Sequence, residues 1–343
     1  MSHDRDDDDE RAHRSRRDTN TPIRQSRDSS SSSSSSNSSM TKLSPSLKAL
    51  INAPFARPGQ VPAPRGIADV YARIAREAEQ HRVGTNPWLA ISAAATFTLN
   101  SPDSLAVLHR VATERGAAPV PAAELVREVG LKCISFNGIP RTINCLNAFR
   151  AGLPADVAAR LHGRASRVPT PEVGSPNGVD AVAARARTLW DSVYAPFEDK
   201  LVDKLALAHP DLPVHILNSH YGPLLSDPPP PPPPAPAASE GPESEAGTAL
   251  ARTGRVLTSA VAVACLRAQT GVGPQVLSHV FGLRKACEDG TWRGDAEAGI
   301  VDEEVVRWLA SDEGCEWLLR SVDGIVEALG GSSFGGNNAA PKL

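Results

Sequence analysis

Past residue 65 the apolar positions recur at three- and four-residue spacing almost without interruption, the period of a helix with one buried face. The segments are Ile67–Ala78, Trp88–Leu99, Leu105–Ala112, Ala122–Phe136, Ile143–Leu153, Val182–Tyr194, Leu201–Leu207, Val214–Leu225, Leu250–Ala268, Val276–Ala286, Val305–Leu309 and Trp317–Leu329. No stretch shows the strict alternation of a half-buried strand. Ser44-Pro-Ser and Ser101-Pro-Asp each place a capping hydroxyl before a proline, the pattern of a helix start. The pattern predicts an all-α domain, a bundle of helices.

Three segments break it. Residues 1–40 mix acids and arginines and end in a serine run from Ser29 to Ser39; they carry too little apolar surface to offset ordering entropy and read as disordered. Asp227 is followed by Pro228 to Pro234 and a Ser/Glu/Gly/Ala stretch, so residues 227–247 read as a disordered polyproline II insertion. It is first a surface loop and second a handle for an SH3- or WW-type groove. Residues 331–343 form a flexible tail. This leaves a helical module at 41–160, connecting helices at 161–226 and a second helical module at 248–330.

Composition narrows the classes. With 343 residues and 41% hydrophobic positions the chain can bury a sizeable core. A net charge of −3 offers no basic footprint, so neither nucleic acid nor an anionic membrane is expected as a partner. No apolar run approaches the roughly 20 residues of a membrane span, and the acidic N-terminus lacks the design of a secretory or mitochondrial leader. A soluble, intracellular chain is predicted. The five cysteines, Cys133, Cys145, Cys265, Cys287 and Cys315, include no CxxC pair and no zinc-type spacing, so no metal and no cofactor is expected.

Two parts of the chain share a plan. Ala122–Phe136 runs into the turn Asn137-Gly-Ile-Pro140 and a helix from Arg141 to Leu153; Leu250–Ala268 runs into Thr270-Gly-Val-Gly-Pro274 and a helix from Gln275 to Cys287. In each, glycine permits the reversal and proline presets the next helical turn. Aligned on the prolines, Ile143 matches Leu277, Leu146 matches Val280 and Arg150 matches Arg284. Either the hairpins are a duplication packed about a pseudo-two-fold or they match by chance, helix–turn–helix pairs being common.

The second hairpin, Arg255-Val-Leu-Thr-Ser-Ala-Val-Ala-Val-Ala-Cys-Leu266 through Gln275-Val-Leu-Ser-His-Val-Phe-Gly282, resembles the carboxymuconolactone decarboxylase and AhpD (alkylhydroperoxidase D) family, with its alanine- and valine-rich helix followed by a His-Val-x-Gly signature. Arg127-Glu128 in the first hairpin falls where the family carries an Arg-Glu pair. The resemblance covers about residues 65–160 and 180–330. It implies an AhpD-like bundle of two pseudo-repeated hairpin modules, often oligomeric in single-module members, and a peroxidase- or lyase-type enzyme acting on a small carbonyl or peroxide. The chain departs from the family at its thiols. Counting back from His279, the cysteine places hold Gln275 and Val272; counting forward from Glu128, the two cysteines and the histidine are replaced by Pro140, Ile143 and Asn147.

The candidate chemistry follows. Glu128 and His279, one from each hairpin, are the expected acid–base pair, since a buried carboxyl and an imidazole can exchange a proton near neutral pH. Each has an ordinary alternative: a salt bridge from Glu128 to Arg127, Arg141 or Arg150, and a hydrogen-bonded core role for His279. Cys133 and Cys145 lie on facing helices, where Lys132 or Arg141 can lower a thiol pKa; the alternative is two buried core thiols. Arg141 and Arg150 can clamp a substrate carboxylate, and Gln275, at a family cysteine place, joins them as a candidate substrate contact. His215 and His220, five apart, read as capping and packing residues. The second function class is a non-catalytic binding or oligomerising protein on the same fold.

Pro341-Lys342-Leu343 resembles a peroxisomal import tripeptide with proline at its first place. Fungal members of the family group include peroxisomal matrix proteins. The expected address is therefore the peroxisomal matrix, reached through the import receptor, with the cytoplasm as alternative.

Overall fold

Trp88-Leu-Ala-Ile-Ser-Ala-Ala-Ala-Thr-Phe-Thr98 has no polar face, and a helix of that composition must be covered on all sides. In the computed structural model, which describes residues 43–54, 59–229, 250–295, 298–300 and 302–332, every residue from Pro87 to Thr98 is buried. The two threonines satisfy themselves within the helix: Thr96 Oγ1 donates to the Ser92 carbonyl at 2.7 Å and Thr98 Oγ1 to that of Ala94 at 2.8 Å.

The helices run in the order α1 (Pro45–Ile51), α2 (Ile67–Gln80), α3 (Thr85–Thr98), α4 (Pro102–Glu114), α5 (Pro119–Asn137), α6 (Ile139–Gly152), α7 (Ala155–Ala159), α8 (Val179–Tyr194), α9 (Glu198–Ala208), α10 (Asp211–His215), a π-helical run Ile216–Leu225, α11 (Gly254–Gln269), α12 (Gly273–Glu288), a 3₁₀ turn Thr291–Gly294, α13 (Glu303–Leu309) and α14 (Asp312–Ala328). The all-α expectation holds, and the described residues contain no strand.

Two units make up the chain, Met1–Pro58 and Gly59–Leu343. In the first, Ser44 caps α1 as its Ser-Pro sequence predicts, accepting from the Leu47 amide at 3.2 Å, and the helix buries no residue. Gly59–Leu343 holds the second expected module and residues 59–160 of the first in one unit, while residues 41–58 of the first fall in the other. Its centre is α3 packed between α5 and α11, each rich in small residues that let the backbones approach. The amphipathic α2, α4 and α14 cover this layer, while α6 and α12 fold back beside α5 and α11. A smaller cluster, Ala186, Trp190, Tyr221 and Leu225, joins α8 to the π-helical run.

The two hairpins match in detail. Gly138 and Gly271 turn the chain at φ 78° and 73°, and Pro140 and Pro274 stand in the first turn of α6 and α12. Ile143 and Leu277 are both exposed, Leu146 and Val280 both pack on the core, and Arg150 and Arg284 both point outward. Gly130 sets the approach of α5 to its neighbours: a Cβ there would lie 2.5 Å from Phe97 Cζ and 3.0 Å from Leu146 Cδ2. Gly130→Ala is therefore expected to destabilise by about 1–3 kcal/mol despite alanine's better helix propensity, read as a lower urea midpoint.

Several expectations change. Ser101 does not cap α4; its hydroxyl donates to the Val61 carbonyl at 2.8 Å and pairs with Ser104. The helix expected over Val214–Leu225 leaves α-geometry at Ile216, ahead of Gly222-Pro223, where proline has no N–H to give. Gly222 sits so close to Val182 that a Cβ would lie 2.8 Å from its Cγ1. Asp227, expected in the insertion, is ordered and largely buried. The serine run, the proline run from Pro230 and the tripeptide Pro341-Lys342-Leu343 lie outside the described residues.

Candidate functional site

Glu124, Glu128 and Lys132 recur every four residues on α5 and so stack on one face. That face meets the segment after α7 and the end of the π-helical run. Glu124 binds Arg127 at 2.8 Å and accepts from the His162 amide at 2.6 Å. Glu128 receives a fork from Arg167, with Nη1 3.1 Å from one carboxylate oxygen and Nη2 2.5 Å from the other. Lys132, without solvent exposure, lies 3.3 Å from Glu128 and 3.1 Å from Asp227 and donates to the Leu225 carbonyl at 2.6 Å. Asp227 in turn caps α11, accepting from the amides of Thr253 at 3.0 Å and Gly254 at 2.7 Å. Burial pushes the Asp227 carboxyl up, but Lys132 and these amides outweigh it and hold it below the usual range.

A second aspartate serves the same helix end. Asp295 accepts from the amides of Arg255 at 2.6 Å and Val256 at 2.7 Å. Among the described residues no cation forms an ion pair with it, and burial pushes its carboxyl up to about 6 against those bonds.

The other polar cluster surrounds His279 on α12. Its Nε2 is 3.4 Å from the Tyr194 hydroxyl, which is 2.9 Å from that of Tyr221. The Phe136 ring meets the imidazole edge-on at 6.1 Å. Arg255 is buried beside them and is held by neutral acceptors: Ser192 Oγ at 2.8 Å, Ser259 Oγ at 2.5 Å and the carbonyls of Ser192 and Gly282 at 2.9 and 2.7 Å. Burial, with Arg255's charge added, brings the His279 pKa down to about 4 and keeps the ring neutral at pH 7. Its Nδ1 is buried without a hydrogen-bond partner.

The pair expected from sequence is thus not brought together. Glu128 and His279 share no hydrogen-bond partner, and Phe136, which touches His279, lies eight residues along α5 from Glu128, a rise of about 12 Å. None of the expected arginines partners Glu128: Arg127 goes to Glu124, Arg141 donates to the Thr98 carbonyl and Arg150 is exposed. Gln275 is exposed on α12. His215 and His220 stack edge to face at 5.2 Å, and His220 bonds Ser135 at 3.1 Å, as packing residues do.

The thiol chemistry also changes partner. Cys133 Sγ lies 3.5 Å from Cys265 Sγ, across α5 and α11, while Cys145 turns to Asn100 Oδ1 at 3.9 Å. Burial pushes the Cys133 thiol well above its ordinary value, with Cys265 adding to it. Burial also pushes Cys145 up to about 12, against Arg141, the cation expected to lower it.

Sequence reasoning missed Arg167, Asp227, Tyr194, Tyr221 and Cys265. Two signals existed. Lys132 stands four residues after Glu128, the spacing of a helical ion pair. The paired hairpins place two apolar helices at the centre, which brings their cysteines into reach. Among the described residues no group of three or more His, Cys, Asp and Glu is placed to hold a metal, and no helix is long and apolar enough to cross a membrane. Comparison with known proteins gives no match: no family model fits the chain, and no curated protein or solved structure resembles it at a significant level.

Proposed function

We propose that this chain is a binding protein on an AhpD-like helical frame that has no thiol peroxidase chemistry. The observation that carries it is the state of Glu128: both its oxygens are held by Arg167 and Lys132 in a buried network, so the carboxylate serves as an ion-pair partner rather than facing a substrate. The cysteines support the same reading, since Cys133, Cys145 and Cys265 are buried with no solvent exposure and thiols rather than thiolates are the stable form of the first two. A homo-oligomer belongs to the proposal, and Ile139 and Ile143 on α6 with Leu277 and Phe281 on α12 are exposed apolar side chains for a second copy to cover.

The test is hydroperoxide consumption together with thiol titration. The full chain is expected to consume no hydroperoxide above the uncatalysed rate. A thiol reagent should label Cys287, which is partly exposed, in the native state and reach Cys133, Cys145, Cys265 and Cys315 only on unfolding. Turnover that disappears in Cys133→Ser or Cys145→Ser would overturn the reading.

A lyase is the second reading, and the His279–Tyr194 contact favours it. A neutral imidazole beside a hydroxyl, with its other nitrogen buried and unpartnered, can pass a proton to a small keto acid or lactone that reaches it. Its signature would be release of carbon dioxide that is lost in His279→Gln and kept in Cys133→Ser.

A further inference from the structure

A groove of about 480 Å³ opens where the segment between α7 and α8, the α8 helix and the π-helical run meet. Its size is that of a small-molecule site. Two guanidinium side chains line it, Arg167 and Arg185, together with the polar Asn177, Asn218 and Ser219 and an apolar wall that includes Val182 and Ala183.

The two arginines differ. Arg167 spends both terminal nitrogens on Glu128 and the Ser226 carbonyl. Arg185 has no acid within ion-pair distance among the described residues; one terminal nitrogen, Nη1, donates to the Pro176 carbonyl. Its Nε is buried and unpartnered, as is that of Arg167, and Nη2 of Arg185 makes no hydrogen bond among the described residues. A buried donor without an acceptor costs free energy, and Arg185 Nε is such a donor. The Nε–Nη2 edge of Arg185 is the edge of a guanidinium that holds a carboxylate side-on.

Charge points the same way. Arg167 and Lys132 are matched by Glu128 and Asp227, and Arg185, with no acid within ion-pair distance among the described residues, adds one positive charge to the groove. Burial and the charge of Arg167 both lower the Arg185 pKa, so the two guanidinium groups lie in each other's field. A single carboxylate closes this balance, whereas a phosphate monoester would bring close to two negative charges.

We propose that this groove binds the carboxylate of a small organic monoanion, with Arg185 holding the charged end and Val182 and Ala183 the apolar body. The inference rests on the binding-protein reading and gives it a ligand class. The α8–π packing at Val182 and Gly222 fixes the wall, and the close seat of Gly222 explains why the helix there can approach α8.

The test is calorimetric titration of the full chain at pH 7 and low salt with phenylacetate, its neutral isostere phenylacetamide, and phenyl phosphate. Phenylacetate is expected to bind at least ten-fold more tightly than the other two. Arg185→Gln should weaken it ten-fold or more, and Ala183→Phe, an exposed helical position that a ring would use to fill the groove, should abolish it; the second variant decides if the first fails to fold. Equal binding of phenylacetate and phenylacetamide, tighter binding of phenyl phosphate, no binding of any probe, or wild-type binding in both variants would each overturn the inference. Those outcomes leave the binding-protein reading to its own hydroperoxide and thiol assay.

Discussion

Lys132→Ala is expected to cost about 3–5 kcal/mol, the range for removing one member of a buried ion network. The side chain has no solvent exposure and joins three elements: Glu128 on its own helix, the carbonyl of Leu225 at the end of the π-helical run, and Asp227, which caps α11. Removing the ammonium leaves Asp227 with the Thr253 and Gly254 amides and the Thr253 hydroxyl but no cation, and the Leu225 carbonyl without that donor. Guanidinium unfolding should show the loss as a lower midpoint, with a fall in Tm on the order of 10 °C. Arg187→Ala sets the scale, because its exposed pairs with Asp191 and Asp199 are of the kind worth about 1 kcal/mol or less. Pairing Lys132→Met with Asp227→Asn should recover part of the loss, since it removes the charge the ammonium balanced. A single-variant cost near that of Arg187→Ala would show that the network is a surface pair in effect.

The helical frame was legible because its cause is local. Apolar spacing marks α2 to α6, α8, α9 and α11 to α14, and the boundaries shift by a few residues where first turns such as Thr85-Asn-Pro87 and Pro119-Val-Pro121 carry no apolar period. The hairpin alignment was legible too, and Ile143 and Leu277 sit in equivalent environments. The π-helical run was not, because a shift from i→i+4 to i→i+5 bonding leaves apolar spacing almost unchanged. The site was the least legible part. Glu128 and His279 are both buried, but beyond Lys132 on its own helix Glu128 is held by Arg167, and His279 meets Tyr194, neither of which has sequence proximity to its partner. Composition misled at Asp227: the proline run that follows it says nothing of a carboxylate buried against Lys132. Cys133 found Cys265 rather than Cys145 because α5 and α11 share the core while the α5–α6 turn holds its two thiols apart.

His279→Gln should change the pH dependence of stability by about 3 kcal/mol between pH 7 and pH 4. Burial holds the folded pKa near 4, while an unfolded histidine titrates near 6.5. Between those values the unfolded chain binds the proton and the folded chain does not, so stability falls as pH drops through this window and the loss is complete below pH 4. Asp295 acts in the opposite sense. Its carboxyl titrates near 6 in the folded state and near 4 unfolded, so the folded chain binds the extra proton and stability rises as pH drops from 6 to 4, again by about 3 kcal/mol. The two effects nearly cancel in the wild type, so only the variants expose them. Urea unfolding at pH 7 and pH 4 should show His279→Gln gaining on the wild type at acid pH. Asp295→Asn, which keeps one acceptor for the α11 amides, should lose on it. Parallel stability curves for wild type and His279→Gln across this range would mean that the imidazole takes its proton in the folded state, and that Arg255 and burial do not keep it neutral.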